Sequence, residues 1–175
     1  NEFIVGIVGR IEDAKGQYLL IEAMKELEGL NIKCLIVGSA MDEVYLDKLK
    51  QKVKDLRLEE RVVFTGFTKN VSEYMQLFDI NILATENETF GLVVIEAMAN
   101  KVPMVATNNG GPLEIIDDGI DGLLFNGSAK DLASKIKLLY KNKELVNSIS
   151  ESGFKKVQEK FASDVQLEKL YKIIN

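Results

Sequence analysis

Six short apolar runs constrain the fold more than any other feature of the chain: FIVGIV (3–8), IKCLIV (32–37), RVVFTG (61–66), DINILA (79–84), PMVATN (103–108) and GLLF (122–125). None alternates strictly between apolar and polar residues. Each therefore predicts a strand covered on both faces, as in a parallel sheet, rather than one with a solvated face. Parallel neighbours need crossover connections, and stretches of helical period lie between the runs. GQYLLIEAMKEL (16–27) places Leu19, Leu20, Ala23, Met24 and Leu27 on one stripe, and residues 42–56, 70–77, 90–100 and 128–141 behave similarly. The repeating strand–helix order predicts a Rossmann-like, doubly wound α/β domain. Its parallel sheet has about six strands, with helices on both faces. After Leu139 only helical patterns remain: ELVNSISESGFKKVQEKF, then SDVQLEKLYKII (163–174), which predicts a last helix over 164–175 with Ser163 or Asp164 as its N-cap.

With 175 residues, 46% of them hydrophobic, the chain can bury one substantial core. Its net charge of −5 argues against a nucleic-acid partner, which would need a basic face. Cys34 lies inside the apolar run IKCLIV and reads as a reduced core residue of a cytosolic protein rather than a metal ligand. There is no histidine, so the commonest general base and the commonest zinc ligand are both missing. No apolar run approaches the length of a membrane span. The chain opens directly in the strand-like FIVGIVG, which leads us to expect a domain boundary within a longer protein.

Doubly wound sheets bind ligands at the carboxyl ends of their strands, near the point where strand order reverses. The first such loop reads VGRIEDAKG (8–16). Gly9 permits a tight turn, and Arg10 and Lys15 flank the start of a helix, a combination that suits phosphate oxygens. A surface loop with two solvated cations is the alternative. The loop carries Gly6-Ile7-Val8-Gly9 where a dinucleotide site needs G-x-G-x-x-G, and Lys15-Gly16-Gln17 where a nucleotide-triphosphate loop needs Gly-Lys-Ser/Thr.

The second informative stretch is ENETFGLVVIEAMA (86–99). A helix is expected to begin near Phe90, with Thr89 as N-cap and the N–H groups of Phe90, Gly91 and Leu92 free for an anion. Gly91 removes a side chain where a ligand would approach. Val93, Val94, Ile95, Ala97, Met98 and Ala99 give the helix a core-like composition, so Glu96 is expected to be buried or half-buried. Such a carboxylate either forms an internal salt bridge or accepts hydrogen bonds from two ligand hydroxyls, for which ribose offers a suitable pair. Glu88 is then either a pocket residue on the open side or a solvated loop acid.

The segments GRIEDAKG, VVFTGF, ETFGLVVIEAMANKVPMVAT and GGPLEIIDDGIDGLLF, in this order, resemble the C-terminal, donor-binding domain of retaining glycosyltransferases of the GT-B fold. This group includes the glycogen synthases and mannosyltransferases. The resemblance covers nearly the whole chain, and the E-x7-E pair Glu88/Glu96 with Phe-Gly-Leu between is its most specific element. It implies that Arg10 and Lys15 grip the donor diphosphate, with Gly9 at the turn, and that Glu96 holds the nucleotide ribose. It also implies that Glu88 contacts the donor sugar, that the loop around Thr89, Phe90, Gly91 and Leu92 meets sugar and distal phosphate, and that Phe67 and Thr68 face the base. The segment Gly110–Glu114 matches the family's glycine-glycine-x-x-glutamate loop, for which no chemical role follows. Thr89, Asn100-Lys101 and Phe161-Ala162-Ser163 depart from the family's usual residues and leave the donor sugar open.

The function implied is transfer of a sugar from a nucleotide-diphosphate sugar to a glycan or lipid-linked acceptor, as in polysaccharide biosynthesis. The reaction uses neither metal nor cofactor, the nucleotide sugar being substrate. The acceptor site would lie on an N-terminal domain that this chain does not supply, so the chain alone would bind nucleotide weakly and transfer nothing. A cytoplasmic location is implied, peripheral at the inner membrane face when the acceptor is membrane-associated. Alternatives are a non-catalytic nucleotide-binding module of the same fold and a nucleotide-sugar epimerase, against which the lack of histidine weighs. A receiver-like flavodoxin fold would need clustered acids at strand ends, for which Asp42 and Asp79 are poorly placed.

Overall fold

The computed structural model describes residues 2–161 of the chain. Its elements run β1 (Phe3–Val8), α1 (Gln17–Glu26), β2 (Ile32–Val37), α2 (Glu43–Asp55), β3 (Val62–Gly66), α3 (Val71–Met75), β4 (Ile80–Leu83), α4 (Leu92–Ala99), β5 (Met104–Thr107), α5 (Pro112–Ile115), β6 (Leu123–Phe125), α6 (Ala129–Lys141) and α7 (Lys143–Lys160). The sheet has six strands in the order β3-β2-β1-β4-β5-β6. Every pairing is parallel. Chain order reverses between β1 and β4, which puts the topological switch point there.

Side chains of successive strand residues point to opposite faces, and both faces are apolar, as the non-alternating runs require. Val5 and Ile7 of β1 join Leu20 and Met24 of α1, Leu49 of α2, and Leu132 and Ile136 of α6 in one core layer. Ile4 and Val8 pack into the other, with Met75 of α3, Val94, Ala97 and Met98 of α4, Ile115 of α5 and Val157 of α7. The doubly wound architecture expected from the sequence is therefore present. β1 and β2 fill their predicted runs in full, and the other strands and the predicted helices begin or end one or two residues inside theirs. A single 3-10 turn, Asp13–Lys15, and the four-residue α5 were not foreseen; neither is long enough to show a period.

Four of the five residues of the expected stripe, Leu20, Ala23, Met24 and Leu27, are buried, and Gln17 and Ile21 join them. Leu19 is only half-buried. The helix starts at Gln17, and Gln17, Leu20, Ile21 and Met24 follow the i, i+3, i+4, i+7 spacing of one face. Asp42 caps α2 by accepting from the Val44 amide at 2.8 Å. Asp79 accepts from the Ile4 amide at 2.7 Å, ahead of β4. Both acids thus serve the fold locally, away from a receiver-like acid cluster. The helix expected over 164–175, its Ser163 or Asp164 cap and Ala162 lie outside the described residues.

Gly16 joins the first loop to the rest of the sheet. It adopts φ +72° as it leads into α1. A Cβ there would stand 2.3 Å from the carbonyl oxygen of Ala84, just beyond β4. Only glycine allows both the left-handed backbone and the approach. Gly16→Ala should therefore lower stability by roughly 1–3 kcal/mol. An unchanged urea midpoint would mean that the first loop does not seat on the end of β4. Cys34 is fully buried, and burial pushes its thiol up to about 12 against the pull of nearby Arg61. A thiol reagent at neutral pH should label it only as the protein unfolds; labelling in native buffer at the rate of a free thiol would refute that placement.

Candidate active site

Because β1 and β4 are neighbours whose following helices leave to opposite faces, the loops after them lie side by side. The Glu86 amide donates to the Ala14 carbonyl at 3.3 Å, joining the two. One turn further, the Lys15 ammonium meets the Glu88 carboxylate at 3.4 Å, with side chains 28% and 19% exposed. Glu88 is thus not a free solvated acid. It is half-buried and ion-paired. A pair this shielded is less screened than a surface pair, and its carboxylate is held in a fixed place beside the tip of α4.

Arg10 behaves differently from Lys15. Its guanidinium is 60% exposed and pairs with Glu12 at 3.0 Å, a surface contact worth little. Its backbone is more firmly held, because buried Gln17 donates to the Arg10 carbonyl at 2.8 Å. Gln17 was not singled out from the sequence. Its signal was a polar residue on the apolar face of α1. Arg10 lines a small, mostly apolar cleft of about 180 Å3 with Gly9, Gly38, Phe67 and Thr68. Phe67 exposes 71% of its surface there, unusual for so large an aromatic. Thr68 is held by accepting from the Asn70 amide at 3.0 Å.

The tip of α4 departs from expectation in two ways. The helix begins at Leu92, not Phe90, and its N-cap is Gly91 in the left-handed region, φ +86°, with no side-chain cap. Thr89 is exposed and ends too early to cap it. The left-handed turn at Gly91 is what delays the helix, a conformation that glycine adopts at least cost. The N–H groups of Phe90, Gly91 and Leu92 donate to no group among the described residues, and so form the expected amide-rich tip. Second, Glu96 is exposed and forms no ion pair among the described residues. The composition of α4 is apolar all round, but only Val94, Ala97 and Met98 are fully buried, and Leu92 (64% exposed) shares the outer face with Glu96 four residues on. Burial and the internal salt bridge are both corrected. Glu96 instead lines an open groove of about 640 Å3 with Lys69, Asn70 and Val71.

The structure thus brings Lys15, Glu88 and the amides of Phe90–Leu92 together. Arg10, Phe67 and Thr68 line one cleft and Glu96 the adjoining groove, with Val71 lining both. The Gly110–Glu114 segment packs against this site from the β5 side, where the Gly111 amide donates to the Glu88 carbonyl at 2.8 Å. Among the described residues, no group of three or more His, Cys, Asp or Glu side chains is gathered for a metal ion.

Residues 1–156 match the model of the family described as glycosyl transferases group 1. The chain is 31% identical over its full length to the capsular polysaccharide biosynthesis glycosyltransferase CapM of Staphylococcus aureus, of which it covers 46%. Over 77% of its length it is 36% identical to the N-acetyl-alpha-D-glucosaminyl L-malate synthase of Bacillus anthracis, covering 35% of that enzyme. The chain spans less than half the length of these curated relatives. Among solved structures, Anabaena HepE in complex with UDP superposes with a TM-score of 0.95 at 28% identity, over 99% of this chain and 49% of that one. The C-terminal domain of the group 1 protein LpcC from Francisella tularensis superposes with a TM-score of 0.85 at 30% identity, over 92% of this chain and 87% of that domain. Fold and sequence agree: the chain belongs to the glycosyl transferases group 1 family and has the Rossmann-like α/β fold of the GT-B glycosyltransferases.

Proposed function

We propose that this chain is the donor-binding domain of a retaining, metal-independent glycosyltransferase that moves a hexosyl-type sugar from a nucleotide diphosphate to a glycan or lipid-linked acceptor. The observation that carries this reading is the Lys15–Glu88 pair seated beside three amides that have no partner among the described residues, at the switch point of the sheet. Breaking the bond from the anomeric carbon to the diphosphate builds negative charge on the leaving phosphate oxygen. The Lys15 ammonium, the Arg10 guanidinium and the α4 tip supply positive charge and hydrogen-bond donors for it, so the chemistry needs no metal. Positive character grows on the sugar ring at the same time. Glu88, positioned by Lys15, orients the sugar and offsets that charge; departure and attack on the same face would then retain configuration.

In this reading the base lies in the Phe67–Thr68 cleft near Gly9, and the ribose hydroxyls meet Glu96. Thr89 and the Phe90–Leu92 amides face sugar and distal phosphate. The UDP and UDP-glucose complexes of HepE support a nucleotide-sugar donor. The acceptor site belongs to an N-terminal domain outside this chain, and the cytoplasmic, membrane-peripheral location is part of the same proposal.

In the complete enzyme, Arg10→Ala or Lys15→Ala should lower kcat by roughly 10²- to 10³-fold, as removal of one oxyanion donor does elsewhere. Losses below threefold for both would remove the diphosphate assignment. Glu96→Gln should weaken nucleotide binding in calorimetry and leave the melting temperature unchanged, since the carboxylate is exposed and forms no ion pair among the described residues. A lowered melting temperature with unaltered affinity would sink the ribose role. Nucleotide binding by the complete protein without sugar transfer or donor hydrolysis would identify a non-catalytic module instead.

A further inference from the structure

The loop between β4 and α4 contains backbone carbonyls that must be satisfied without secondary structure. They are satisfied from one direction, by the end of β5 and the residues after it. The Thr107 hydroxyl, 4% exposed, lies 2.8 Å from the Thr85 carbonyl and 3.2 Å from that of Leu83, and donates to this pair. The Asn109 side-chain amide donates to the Glu86 carbonyl. The Gly111 amide donates to the Glu88 carbonyl. The seating is as close as backbone allows. A Cβ on Gly110 would stand 2.1 Å from the Glu88 carbonyl oxygen, and one on Gly111 2.3 Å from that of Phe90. The carbonyls of residues 83, 85, 86 and 88 are therefore engaged on the β5 side, while the amides of Phe90, Gly91 and Leu92, just beyond them in the chain, have no partner among the described residues.

We propose that Thr107 and Asn109, with the Gly110-Gly111 pair, are positioning residues for the donor diphosphate. This rests on the donor-binding reading above and gives a role to the glycine-glycine loop that motif spacing alone leaves without one. A peptide chain offers both signs of dipole, and an anion approaching a free loop would meet carbonyl oxygens as readily as N–H groups. Donors placed behind the loop hold the carbonyl ends there and leave the N–H ends to the ligand. Preorganised dipoles of this kind avoid reorganisation when the charge arrives. Thr107 and Asn109 touch neither phosphate nor sugar. They act through the main chain of residues 83–88.

The test compares a nucleoside diphosphate with its own nucleoside. Calorimetry of this chain with UDP, GDP and ADP comes first; if none binds at millimolar concentration, the donor-binding reading falls and this proposal with it. With the diphosphate that binds, Thr107→Val removes one hydrogen-bond donor at nearly constant shape and should weaken the diphosphate roughly tenfold. The affinity of the corresponding nucleoside, followed by NMR titration, should not change, and Thr107→Ser should restore diphosphate binding. Asn109→Ala, at a more exposed position, should show the same selective loss and serves if Thr107→Val does not fold. Equal losses for diphosphate and nucleoside, or no loss for either, with nucleotide binding by the unmodified chain intact, would overturn the positioning role.

Discussion

A lysine ammonium and a glutamate carboxylate meet where two neighbouring strands send their helices to opposite sides of the sheet. That meeting depends on strand order. Only at a reversal do consecutive loops along the carboxyl edge diverge and leave a crevice between them. Here the crevice is bounded by the turn after β1 and the turn after β4, which Gly16 brings into backbone contact. With a different strand order Lys15 and Glu88 would face unrelated neighbours, although the same residues would be present.

The pair is half-buried, and this matters for its chemistry. Full burial would make separating the two charges costly, because each would lose its compensation. Full exposure would leave both side chains to water and salt. At 28% and 19% exposure an arriving anion can share the ammonium while the carboxylate keeps its position. The proposed donor therefore meets a site already shaped, with fixed amide dipoles on one side and a shielded cation on the other.

Much of this was legible in the sequence because it follows from pattern. Runs such as IKCLIV, apolar at nearly every position, can hardly be anything but strands covered on both faces, and the order of runs and helical stretches leaves few topologies. The proximity of the 8–16 and 86–99 segments followed from the same rule. What was not legible depends on rotation and on long-range contact. The composition of α4 suggested burial all round, yet only one side of it meets the core, and Glu96 falls on the other. Thr89 is a good capping residue type, but the left-handed turn at Gly91 moves the helix start beyond its reach. The hydrogen bonds of Thr107 and Asn109 to residues 83–86 could not be read from spacing at all, because they depend on β4 and β5 lying side by side.

The outward face of α4 has one more implication. The helix draws its stability from Val94, Ala97 and Met98, and the acid at 96 adds nothing to that account. Folding places no demand on this carboxylate, so it can be lost without any visible mark on the architecture. Two chains could share every strand and helix of this domain and differ in whether that one oxygen pair still greets a ligand. Superposition of backbones would not tell them apart.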